Sequence, residues 1–120
     1  MSRIVPFLLL MALAPCTARA EGDAARGKAL YATKCAACHS LEYNGVGPAH
    51  KGVFGRKAGL ADGYAYSPAL QGAGLVWTEA TLDRWLTNPA SMVPGQKMGI
   101  AIPDAKERRD LIAYLRAATK

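Results

Sequence analysis

The chain is poor in the residues from which most protein-built active sites are assembled. Its 120 residues hold 2 histidines and 3 cysteines. Three cysteines do not make a disulfide framework. Acidic residues number 9 against 15 Lys and Arg, and the basic ones are scattered without a run. That pattern gives no nucleic-acid footprint. Charged residues make up 20% of the chain, and the 12 glycines and 7 prolines follow no period. Disordered and collagen-like classes are thereby excluded. The length allows one small domain, so a doubly wound nucleotide-binding domain with a separate substrate domain will not fit. So little chain points to a small domain with one borrowed cofactor.

Only one apolar run stands out, and it lies at the start. Arg3 precedes Ile4 to Pro15, almost wholly apolar, and Ala18-Arg19-Ala20 follows as a small-x-small site. A secretory signal peptide over residues 1–20, cleaved after Ala20, is the expectation. The run is too short to span a bilayer comfortably, which disfavours a retained anchor. Cys16 as a lipid carrier is disfavoured by Pro15 directly before it. Loss of residues 1–20 removes Arg3, Arg19 and Cys16, leaving a domain at 21–120 with 13 − 9 = +4 charges and two cysteines. That domain is large enough for one modest core.

Three segments read as helices. Asp23 stands at the N-cap position of a run through Ala24, Gly27 and Tyr31, with Cys35 on the same stripe. This helix is expected to end near Cys38-His39. Gly27 inside it costs about 1 kcal/mol against Ala, which makes sense where another helix crosses closely. Thr78 caps a second helix carrying Leu82, Trp85 and Leu86, stopped at Asn88-Pro89. Asp104 and Glu107 have capping-box spacing ahead of a third, whose inner face is Leu111, Ile112, Tyr114, Leu115 and Ala118. Residues 40–76 are rich in Gly and Pro, with one short helical turn at Pro68-Ala69-Leu70. So long an irregular stretch is reasonable where it wraps something other than protein. No strand is expected.

Cys35-Ala36-Ala37-Cys38-His39 carries the chemistry. Two thiols three positions apart, followed at once by histidine, is the attachment pattern of c-type haem. On one helical turn the two sulfurs reach both vinyl groups of one porphyrin edge, and His39 projects toward the iron. A thioredoxin-like dithiol would follow a strand, whereas here a helix precedes. A zinc site needs two more ligands, and His50 alone remains. The second axial ligand must come from Met92, Met98, His50 or a lysine. Met98 sits in a Pro-Gly-x-Lys-Met-Gly turn with no helical face to bury it and reads as the ligand, while Met92 reads as core filler. Thioether ligation raises the potential relative to two nitrogen ligands.

With these residues in place, the chain over 22–120 resembles a class I cytochrome c of the mitochondrial and bacterial c2 type. The likeness rests on Gly22-Asp23, Gly27-Lys28, Lys34 to His39, Gly47-Pro48, Gly52 to Gly59, Tyr64 to Ser67, Trp77, Leu86 to Pro89, Pro94 to Met98 and Glu107 to Leu115. It implies an all-α fold of about three main helices and long loops around one covalently bound haem c. It implies His39 and Met98 as the axial pair, and a Pro48 carbonyl accepting the imidazole N–H. By the same resemblance Tyr66 and Trp77 donate to a buried haem propionate, with the Arg56 cation near it. Gly27 and Tyr31 would cross the last helix at Leu111 and Tyr114. Lys34, Lys57 and Lys97 would ring the exposed haem edge and meet acidic partners. The implied function is a periplasmic electron carrier, not an enzyme: a monomer with transient redox partners and no stable membrane insertion. Donors would be a bc1-type complex or a dehydrogenase, acceptors a terminal oxidase or a photosynthetic reaction centre. A dedicated dehydrogenase partner and a peroxidase-like enzyme are the rival readings. Three residues depart from the family pattern: Trp85 for a tyrosine near the methionine sulfur, Ile100 for an aromatic at the haem edge, and Gln96 for a hydroxyl residue.

Overall fold

The computed structural model describes residues 22–120, together with Met1 and residues 12–14. The expected signal peptide and its cleavage site lie almost wholly outside the described residues. Five helices follow one another: α1 (Ala24–Lys34), α2 (Pro68–Gln71), α3 (Glu79–Thr87), α4 (Pro89–Met92) and α5 (Ala105–Ala118). No strand forms among the described residues; one antiparallel bridge pairs Lys57 with Val76.

Each long helix starts where a side chain takes up otherwise unpaired amide groups. The Asp23 carboxylate accepts from the N–H groups of Ala25 and Arg26. Thr78 and Thr81 exchange side-chain and backbone bonds in a reciprocal capping box at α3. Asp104 accepts from the Glu107 N–H at 2.9 Å to open α5. α1 ends sooner than its sequence suggests. Lys34 is its last residue and Cys35 its C-cap, so Cys35 to Cys38 form a separate turn. The N–H groups of Cys38 and His39 both donate to the Cys35 carbonyl, at 3.1 and 2.9 Å. Asn88 ends α3 as expected, but its side chain accepts from Ser91 and starts α4 at once.

The two ends of the domain cross. At Gly27 an added Cβ would collide with the Asp110 carbonyl and the Tyr114 Cβ. Only glycine lets α1 and α5 approach so closely, which accounts for the propensity cost inside α1. Asp110 ties the crossing: its buried carboxylate accepts from the Asp23 N–H at 2.8 Å and from Lys106 at 3.0 Å. The inner face of α5 holds Leu111, Ile112 and Leu115, all buried, with Tyr114 half-buried. Ala118 is exposed, and the chain instead turns Thr119 inward, 1% exposed. Thr119 Oγ1 bonds the Leu115 carbonyl, and the Thr119 carbonyl accepts from Gly52 N–H at 2.7 Å. The C-terminus is thus tied to the long loop.

That loop is ordered by turns rather than by regular structure. Residues 55–58 run beside 75–77, with Gly55 N–H to the Trp77 carbonyl, Trp77 N–H to the Arg56 carbonyl and Ala58 N–H to the Leu75 carbonyl. Gly55 and Gly59 take φ of 85° and 82° at its bends. The expected short turn at Pro68 is α2, capped by the buried Ser67.

Candidate haem site

The helices and the loop do not close on one another. They enclose a cavity of about 200 Å³. About 10–15 Å³ is enough for one water, and well-packed interiors leave few voids even of that size. Cys35, Cys38, His39 and Met98 all line it, and so do Arg56, Tyr66 and Trp77.

His39 is held from three directions. Its Nδ1–H donates to the Pro48 carbonyl at 2.8 Å. Gly47 lies flat against the ring, since a Cβ there would enter it. The His50 ring stacks on it, centroids 4.1 Å apart. The two backbones are stitched together: Gly47 N–H to the Cys38 carbonyl at 2.7 Å, His50 N–H to the Ser40 carbonyl at 2.9 Å. With Nδ1 committed, Nε2 is the nitrogen left for a metal. Burial pushes the His39 pKa down, only partly opposed by the Pro48 bond, the direction that favours the neutral form a metal requires. His50 is pushed down to about 3 by burial, then by His39 and Arg56.

The Met98 wall is built differently. The loop turns at Gly95, φ 90°, a left-handed conformation that favours glycine. The Gln96 side chain then reaches two residues on. Its Oε1 accepts from the Met98 N–H, and its Nε2 donates to the Met98 carbonyl at 2.8 Å. In the sequence Gln96 stands out only as a departure from the family pattern. The carboxamide carries its acceptor and its donor on separate atoms, and here they meet the Met98 N–H and carbonyl at once. Met92 and Met98 are both half-buried against the core, but only Met98 lines the cavity.

Polar groups wait at the remaining wall. Arg56 donates Nη1 to the Lys51 carbonyl and Nη2 to the Ala49 carbonyl, but its buried Nε has no partner among the described residues. A buried guanidinium N–H left unpaired is expensive and fits a carboxylate brought in by a ligand. Tyr66 Oη accepts from Ala61 N–H at 2.9 Å, leaving its own proton to give. The Trp77 indole has no partner among the described residues and packs edge-on against Trp85, centroids 5.3 Å apart.

The two thiols are free and half-buried. Burial pushes the Cys35 thiol up to about 11, against the lowering effect of Lys34. That direction is opposite to the low-pKa thiolate through which thiol–disulfide enzymes work. At the rim, Val46 and Ile100 are exposed, 75% and 46%. Lys34 lines the cavity but pairs with Glu107 at 3.2 Å. Lys97 lines it too, donating to the Ala65 carbonyl at 2.7 Å and lying over the Tyr64 ring. Lys57 is not among the lining residues and sits on the Val76 bridge instead.

A deep apolar pocket with two thiols and an oriented histidine on its wall, and an unpaired arginine N–H besides, fits a covalently held haem. The cytochrome c family model matches residues 24–119. Cytochrome c of Gibberella zeae is 44% identical over 105 residues, covering 84% of this chain and 99% of that protein. That of Chlamydomonas reinhardtii is 48% identical over 102 residues, 82% of this chain and 91% of the other. The solved structure of cytochrome cH from Methylobacterium extorquens superposes with a TM-score of 0.77 at 53% identity, covering 80% of this chain and 99% of that one. The chain belongs to the cytochrome c family: an electron-transfer haem protein with one covalently attached haem c.

Proposed function

We propose that residues 21–120 work as a periplasmic single-haem carrier with His39 and Met98 as axial ligands, released when a signal peptide at 1–20 is removed. One observation carries the axial assignment: His39 and Met98 line the same cavity, and each is backed by its own hydrogen-bonded support. Bound haem c supplies the Fe(III)/Fe(II) couple.

The chain's own residues do the rest. Cys35 and Cys38 would hold the group by thioether bonds. Pro48 keeps the His39 tautomer and raises its basicity. Gln96 presents the Met98 thioether, which favours the ferrous state. Arg56, Tyr66 and Trp77 line the cavity and would meet a propionate with N–H and O–H donors, as a buried carboxylate demands. Leu82, Leu86, Leu111 and Leu115 keep water out. With His39 and Met98 as its two ligands the iron would have no position open to a small-molecule substrate, which supports a carrier rather than an enzyme. No helix among the described residues is long and apolar enough to cross a membrane. Transient docking at the Val46–Ile100 rim, through a small wet interface, suits such an exchange. A bc1-type complex or dehydrogenase would give the electron, and an oxidase or reaction centre would take it.

The test is the absorption spectrum of the exported protein, oxidised and reduced. The expected result is a low-spin c-type spectrum with the weak far-red band of a sulfur–iron bond, abolished by Met98→Ala. A high-spin spectrum in the unmodified protein would overturn the axial assignment and move a ligand-activating enzyme to first place. Carbon monoxide binding to the ferrous form separates the same two cases.

A further inference from the structure

Beside His39 lies a second histidine that the axial, covalent and propionate contacts do not use. The His50 ring stacks on the His39 ring at 4.1 Å between centroids and 22° between planes. Its Nδ1 is 2.8 Å from Tyr31 Oη. Tyr31 projects from α1, is 7% exposed, and packs on Tyr114 of α5 at 5.3 Å. The His50 backbone is pinned on both sides, N–H to the Ser40 carbonyl and carbonyl to the Val53 N–H. A mere filler at this place would need no nitrogen, and a polar ring drawn half out of water is costly unless it is bonded. Here the bond runs to a phenol anchored in the helix crossing.

Geometry gives the pair a task. A single hydrogen bond from Nδ1 to Pro48 fixes one atom of His39 but leaves the ring free to swing about that contact. A plane needs a second restraint. Gly47 supplies backbone against the ring, and His50 supplies a flat face.

We propose that His50 is a positioning residue for His39: braced by Tyr31, its ring sets the plane in which the His39 imidazole faces the cavity. This rests on His39 being the axial ligand. Outer groups that orient a ligating histidine govern its bond to the metal. The pair would carry that orientation from the α1–α5 crossing to the iron side of the pocket.

The experiment uses the full haem-loaded chain in the ferric state. The proton shifts of the four haem methyls report the axial imidazole plane, and solvent exchange of the His39 Nδ1–H reports its hold on Pro48. His50→Ala should reorder the methyl shifts and speed that exchange on the order of tenfold. Tyr31→Phe should change both in the same direction by less. His50→Phe, which restores a flat ring without the bond, should stay nearer the unmodified pattern than His50→Ala. Unchanged methyl shifts and exchange in His50→Ala, with only thermal stability lowered, would reduce the pair to core packing and overturn the proposal. If His50→Ala takes up no haem, an unchanged pattern in Tyr31→Phe overturns it instead. A high-spin unmodified protein would overturn the axial reading itself, and the positioning role with it.

Discussion

The two walls that carry the proposed axial ligands are held by opposite means. The His39 wall is stitched from several parts of the chain: Pro48 and Gly47 from the following loop, His50 from beyond it, and Tyr31 from α1. The Met98 wall is local. Gln96, two residues away, holds the methionine backbone at both its polar groups, and Gly95 makes the bend. A wall built from distant segments moves only when the fold moves. A wall built from one turn opens alone, at the low end of the local-unfolding scale. Ligand loss should therefore begin at Met98, with His39 following only at global unfolding.

The largest effect should come from disturbing the stitched wall. Gly47→Ala drives a methyl into the His39 ring, and overpacking of this kind costs about 1–3 kcal/mol. Guanidinium unfolding monitored at the haem band should show the loss together with a displaced His39 signal. If the far-red band disappears while global stability is untouched, the two walls are not distinct. Next is Gln96→Ala, which removes two bonds worth about 0.5–1.5 kcal/mol each. It should lower the midpoint for loss of the far-red band and leave global unfolding nearly unmoved.

A smaller effect should appear in acid. Tyr31 bases the His39 wall on the α1–α5 crossing, where the Asp23 N–H, then Lys106, hold the Asp110 carboxyl below its ordinary 3.8. A carboxyl depressed in the folded state stabilises it above the unfolded value, and that contribution is lost as pH falls through the lower folded one. Stability should therefore fall with decreasing pH below about 4, and Asp110→Asn should flatten that limb. Smallest is Lys34→Ala. The Lys34–Glu107 pair is part-exposed, and pairs of that kind contribute about 0–1 kcal/mol. Thermal unfolding should barely register it.

Much of this was legible in the residues alone. Asp23, Thr78 and Asp104 announced the starts of α1, α3 and α5, because capping chemistry is local. Gly27 betrayed a close crossing, because a misplaced glycine needs a reason. The cysteine spacing singled out a pair that lines the cavity together with His39. The early end of α1 at Lys34 was not legible: nothing between Tyr31 and His39 breaks a helix, and the turn that replaces it is held by Cys38 and His39 N–H groups on the Cys35 carbonyl, a pattern with no residue signature. The inward turn of Thr119 in place of Ala118 depends on a bond to Gly52 from far along the chain. The Gln96 clamp and the His50 stack were hidden for the same reason. Each is a side chain whose meaning comes from one partner in space, and neither has a spacing rule that announces it.

The α1–α5 crossing joins the first described residues of the domain to its last. Until Asp110 and Leu111 exist, α1 has no surface on which to lay Gly27 and Tyr31, and an isolated helix of 11 residues is marginal in water. A nascent chain therefore cannot lock its N-terminal half while synthesis continues. Until the final helix is made, Cys35 and Cys38, which directly follow α1, lie on a segment with no pocket closed around it.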